Sequence, residues 1–190
     1  MTSYRNHTNI IYKAYKHHTD SFIAKVIYEK DKNTPFSDIE IGKFEAHLLN
    51  FIQNYPIAEI TGAKKTVEQI EAETDFGICY ATGSLLKPAK YKLDSIGLKY
   101  NSEQLIASNT IEDRESIVLK AIESAKSFYK TEKFERIISV GDGLWDLKTA
   151  QNLNLEFIGI GSKNKELMTN NGMENYFEDL TNFEIKNIVQ

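Results

Sequence analysis

The apolar residues of this chain change their spacing at about Ile60. Before it they recur at helical intervals. Ile10, Ile11, Ala14 and Tyr15 share one face, Phe22, Ile23, Val26 and Ile27 a second, and Phe44, Leu48, Leu49, Phe51 and Ile52 a third. Thr34-Pro-Phe-Ser-Asp38 reads as a turn, with Ser37 or Asp38 capping the third helix. After Ile60, short apolar runs alternate with helical stretches. Gly62-Ala63 opens a short helix through Val67 and Ile70. Residues 76–81 read as a strand, 88–96 as a helix closed by Gly97, and 105–108 as a short strand. Residues 113–128 form a helix with Ile117, Val118, Ala121, Ile122 and Ala125 on its inner face. Ile137-Ile-Ser-Val140 is a strand too uniformly apolar to alternate, and Leu147, Ala150 and Leu153 mark the helix behind it. Phe157-Ile-Gly-Ile160 is another strand, followed by a short helix and Tyr176-Phe177. This alternation predicts an α/β fold, a Rossmann-like parallel sheet with helices on both faces. The expected division is a helical subdomain over residues 1–58 and an α/β core over 59–190.

Composition narrows the picture without deciding it. A length of 190 residues suits one substantial core, or a core with a small accessory domain. A net charge of -4 gives no electrostatic case for nucleic acid. No apolar run approaches membrane-spanning length and no cleavable signal pattern opens the chain, so the cytoplasm is the default location. The one cysteine, Cys79, excludes an intramolecular disulfide and a cysteine-rich zinc site; its strand-like neighbours predict a buried, inert thiol. His17, His18, Thr19 and Asp20 form a polar cluster. Adjacent histidines diverge on a helix, so a solvated helix end is expected rather than a metal site, with Asp20 in a turn or cap.

The candidate chemistry lies at the strand ends. Gly141 ends the strand at residues 137–140, Asp142 sits at its tip, and Asp146 follows four residues on. Two carboxylates so placed can share one Mg²⁺, completed by waters and phosphate oxygens. Taken alone, the same residues also suit a capped helix start. In a parallel sheet the tips gather Thr82, Ser84, Asp142 and Asp146 on one edge, where α/β folds bind ligands. Thr82 with the N–H groups of Gly83 and Ser84 suits phosphate oxygens. Arg114, in the first turn of its helix, is the candidate cation, with Lys120, Lys92 and Lys87 as alternatives.

Two segments carry a family resemblance. Ile78-Cys-Tyr-Ala-Thr-Gly-Ser84 resembles the second motif of the haloacid dehalogenase-like hydrolases, and Val140-Gly-Asp-Gly-Leu-Trp-Asp146 resembles the fourth. The likeness covers roughly residues 60–165. It implies a haloacid dehalogenase-like core with a helical cap, similar to phosphoglycolate-phosphatase-like members. It further implies a Mg²⁺-dependent phosphatase acting on a small phosphorylated metabolite through an aspartyl-phosphate. Thr82 falls on the family's phosphate-orienting hydroxyl and Asp142 and Asp146 on its metal-site acids. Arg114 falls near a position where the family has lysine. The family's nucleophile is the first aspartate of an Asp-x-Asp motif, which occurs nowhere in this sequence. Glu29 and Asp31 have the spacing but follow a helical pattern. The resemblance therefore implies that the nucleophile strand, central in the family's sheet, is missing from this chain, and a partner chain is one source for it.

Two functions follow: a phosphomonoesterase, or a catalytically inactive module that keeps the fold and binds phosphate or protein. Dinucleotide binding is the weaker third, since no Gly-x-Gly-x-x-Gly follows an N-terminal strand and no phosphate-loop Gly-Lys-Ser/Thr occurs.

Overall fold

The computed structural model describes residues 15–189, a mixed α/β arrangement with two small parallel sheets. The helical face expected on Ile10, Ile11 and Ala14 lies outside the described residues. The chain enters α1 (Asp20–Lys32), whose N-cap Thr19 accepts a hydrogen bond from Phe22 N at 3.3 Å, and leaves it through Asn33 in the left-handed conformation. It turns into α2 (Asp38–Ile52), which packs on α1. Then follow α3 (Ala63–Glu73), β1 (Tyr80–Ala81), α4 (Leu86–Ser95), a 3₁₀ turn over Ser102–Gln104, and β2 (Leu105–Ile106). Next come α5 (Arg114–Tyr129), β3 (Ile138–Gly141), α6 (Leu144–Asn152) and β4 (Glu156–Ile160). A second 3₁₀ turn, α7 (Lys165–Thr169), β5 (Asn175–Phe177) and α8 (Lys186–Val189) complete it. Among the described residues no helix is long and apolar enough to cross a membrane.

The expected parallel order is present but in two pieces. β1 pairs with β2, and separately β3 pairs with β4 and β4 with β5, every pair parallel. Side chains of the second sheet alternate between two cores. Phe157 packs with Leu144, Leu147, Met168 and Met173 under α6 and α7. Ile158 and Ile160 pack on the other face with Ile70 of α3, Phe76, Ile138 and Ile188. Ile117, Ala121 and Ala125 bury the inner face of α5, which touches β1, β2 and α6. Burying a residue as completely as Ile117 or Leu147 contributes about 2 kcal/mol.

The strand expected over residues 76–81 shortens to two residues because side chains from α5 and the first 3₁₀ turn bond its backbone. The Tyr129 hydroxyl accepts from Ile78 N at 2.8 Å and donates to Ile78 O at 3.0 Å, and Gln104 Nε2 donates to the same oxygen at 2.9 Å. Side chains thus take the backbone groups that a ladder would use. Cys79 precedes the ladder instead of lying within it and is exposed, which corrects the expected burial.

Candidate functional site

The carboxyl ends of β1 and β3 meet through Arg114. As the first residue of α5, it follows the N-cap Asp113, whose Oδ1 accepts from Ser116 N at 2.8 Å. Its Nη1 donates to Asp146 Oδ1 at 2.6 Å. Its Nη2 lies so close to Gly83 that a Cβ there would stand 3.1 Å away, and 2.9 Å from the His18 carbonyl oxygen. Glycine at 83 is what lets the three segments close together. The guanidinium also faces the Trp145 ring at 5.8 Å, and His18 stacks on that ring at 5.4 Å. The structure thereby brings Thr82, Gly83, Ser84, Arg114 and Asp146 to one edge. Asp142 stands beside them, exposed, with its main-chain oxygen accepting from Asn164 Nδ2 at 2.8 Å.

The four-residue cluster before α1 belongs to this edge and is not a solvated helix end. Thr19 is 1% exposed, and its hydroxyl donates to Glu112 O at 2.7 Å. Asp20 N donates to Gly83 O at 2.7 Å, while the Asp20 carboxylate accepts from Ser84 Oγ at 3.0 Å and from Leu85 N at 3.3 Å. Sequence reasoning missed Asp20, His18 and Trp145 as members of the edge. The signal was there in part: the only tryptophan in the chain sits directly before the second acid.

The turn at the tip of β1 offers fewer donors than expected. Ser84 N donates inward to Thr82 Oγ1 at 3.1 Å, and Ser84 Oγ is engaged by Asp20. The groups it can present to an anion are the Thr82 hydroxyl proton and the Gly83 N–H, beside the Arg114 guanidinium. Arg114 Nε is buried without a hydrogen-bond partner, which leaves a strong donor unsatisfied at the edge. The alternative cations lie elsewhere: Lys92 and Lys120 are exposed, and Lys87 pairs with Glu45 at 3.3 Å.

Asp146 carries the electrostatics. Burial pushes its carboxyl up, the Arg114 guanidinium pulls it back, and neighbouring Asp142 pushes it up again, leaving it above the usual aspartate value. Its Oδ2 accepts from Gly143 N at 3.2 Å. A Cβ on Gly141 would come within 2.5 Å of Asp146 Cβ, so glycine there lets the acid fold back over the strand tip. A carboxylate left short of positive charge despite an arginine at 2.6 Å is suited to a further cation. Among the described residues no group of three or more His, Cys, Asp and Glu side chains is arranged to hold a metal. The pair Asp142 and Asp146 has the hard oxygen donors that Mg²⁺ takes, with its remaining positions filled by water and ligand oxygens.

A second polar cluster, absent from the sequence expectations, ties α2 to α4. Glu45 is 5% exposed. It accepts from Lys87 N at 3.0 Å and Asn109 Nδ2 at 2.9 Å, while Asn109 Oδ1 accepts from Leu86 N at 2.7 Å. Together they cap the open N–H groups of α4. The signal was an acid at position 45 within the helical stripe of Ile41, Phe44 and Leu48.

Comparison with known proteins returns no matching family model, and no curated protein matches the chain.

Proposed function

We propose that the strand-tip edge binds a phosphoryl group and Mg²⁺ as in a haloacid dehalogenase-like phosphatase, acting on a small phosphomonoester. The observation that carries this reading is the convergence of the Thr82 turn, Arg114 and the Asp142–Asp146 pair where the tips of the two sheets meet. Thr82 orients the phosphoryl group through its hydroxyl. Arg114 offsets the charge of the equatorial oxygens while holding Asp146 in place. Mg²⁺ held by Asp142 and Asp146 would supply further charge neutralisation during in-line attack. The test is calorimetric titration of the full chain with Mg²⁺ and inorganic phosphate, alongside turnover of p-nitrophenyl phosphate. Mg²⁺-dependent phosphate binding, lost in Asp142→Asn, is expected. Phosphate binding that ignores both Mg²⁺ and the substitution would remove the assignment.

A second reading, binding without turnover, is favoured by one observation. Three acids whose side chains meet the Thr82 turn, Arg114 or one another at this edge are Asp20, Asp142 and Asp146. Asp20 is bonded to Ser84 and Leu85, Asp146 is bonded to Arg114, and Asp142 is required for the cation. None is placed to attack phosphorus. Phosphate binding without product release supports this reading, and Mg²⁺-dependent turnover by this chain rules it out.

A further inference from the structure

The turn at the tip of β1 is held by the residues that open α1. Two successive peptide units of this turn are bonded at both polar ends. In the Gly83–Ser84 unit the carbonyl accepts from Asp20 N at 2.7 Å, and the N–H donates to Thr82 Oγ1 at 3.1 Å. In the Ser84–Leu85 unit the carbonyl accepts from Ser108 N at 3.0 Å, and the N–H donates to Asp20 Oδ2 at 3.3 Å. The same carboxylate oxygen accepts from Ser84 Oγ at 3.0 Å. Asp20 thus holds one end of each unit. The neighbouring Thr19 hydroxyl donates to Glu112 O at 2.7 Å, and Lys25 of α1 pairs with the Glu112 carboxylate at 2.8 Å. Glu112 stands two residues before Arg114, so the start of α1 grips both the turn and the loop that delivers the cation.

We infer that Asp20 is a positioning residue of the anion-binding tip, which orders the Thr82 turn beside Arg114 through its bonds to Ser84 and Leu85. Gly83 is the most permissive residue of the turn, and left unpinned it would let the turn sample many conformations. With Thr82 N bonded to Ile106 O at 2.9 Å on one side and the Gly83–Ser84 unit pinned on the other, the Gly83 N–H keeps one direction. Because Thr82 Oγ1 already accepts from Ser84 N, the hydroxyl is left its own proton to donate. Donors ordered before the ligand arrives cost less to organise when it binds. This role presupposes the phosphate reading. Charge alone would give the opposite effect, since a carboxylate next to the site repels an anion. The sign of the change on removing Asp20 therefore separates the two.

Calorimetric titration of the full chain with inorganic phosphate in the presence of Mg²⁺, well below the melting temperature, tests it. Asp20→Ala is expected to bind phosphate about tenfold more weakly than the parent. Asp20→Asn, whose amide oxygen can accept the same two bonds, should restore affinity to within about threefold. Ser84→Ala keeps Asp20 and its bond to Leu85 and should weaken phosphate by a smaller factor. It decides the matter if Asp20→Ala does not fold, and parental affinity in it would then overturn the proposal. A purely structural Asp20 would lower the melting temperature of Asp20→Ala and leave the affinity of the folded chain unchanged. A purely electrostatic one would tighten phosphate in both Asp20 variants. Either result overturns the positioning role while the phosphate reading stands. A parent that binds no phosphate removes that reading and the role together.

Discussion

Two acids in this molecule are taken largely out of water and placed beside a cation, and they end in opposite states. Glu45 suffers first from burial, which would raise its carboxyl. The bonds from Asn109 and from the Lys87 N–H and ammonium outweigh that and hold it below the usual glutamate value. Asp146 suffers the same burial, but its arginine is offset by Asp142, and its carboxyl stays high. The comparison separates structure from candidate function. Glu45 is a finished network that caps a helix and joins α2 to α4. Asp146 is an unfinished one, next to a buried Arg114 Nε without a partner.

Removing each acid should therefore have opposite consequences, and the largest effect belongs to Glu45. Glu45→Ala leaves Lys87 N and Asn109 Nδ2 without their acceptor and uncaps α4. The expected loss is about 3 kcal/mol, measured by urea unfolding. A loss within experimental scatter would mean that water replaces the carboxylate and that the two regions are not tied through this residue.

The next effect lies where the N-terminal segment meets the edge. Gly83→Ala places a methyl group 2.9 Å from the His18 carbonyl and 3.1 Å from Arg114 Nη2. The backbone side cannot yield without moving Asp20 off Gly83, so about 2 kcal/mol of destabilisation is expected. Near-ultraviolet circular dichroism of Trp145 should change with it, because His18 and Arg114 both pack on that ring. A stable variant with an unchanged Trp145 signal would show that the contact is looser than its geometry implies.

How much of this was legible in sequence depends on the kind of interaction. The alternation of strands and helices, the placement of β3 and α6, and the helix that Arg114 opens follow from periodicity, which is local. The strand-tip candidates stand on two separate sheets, and Arg114 is what joins the tips. What was hidden depends on distant partners. The truncation of β1 is decided by Tyr129 and Gln104, 51 and 26 residues away from Ile78. The burial of Thr19 is decided by Glu112, 93 residues away. Glu45 was a polar residue on an apolar stripe, which announces a buried partner without naming it.

Asp146→Asn is the smallest change in stability and the sharpest test of the comparison. The amide oxygen still accepts from Arg114, and the cost of keeping a charge there disappears. The net change at neutral pH should stay within about 1 kcal/mol, while Mg²⁺ binding should be lost. The pH dependence gives the sign. Glu45 lies below its ordinary 4.5, so its contribution is complete above that pH and is lost as the pH falls through the lowered folded value. Asp146 lies above its ordinary 3.8, so the penalty for ionising it is absent below that pH and grows as the pH rises through the raised folded value. Urea midpoints of the parent, Glu45→Gln and Asp146→Asn, followed from acid to neutral pH, should therefore diverge in opposite directions. The advantage of the parent over Glu45→Gln should shrink on acidification. Asp146→Asn should gain on the parent as the pH rises, and a gap that instead widens toward acid would place Asp146 with Glu45, as a fully compensated structural acid.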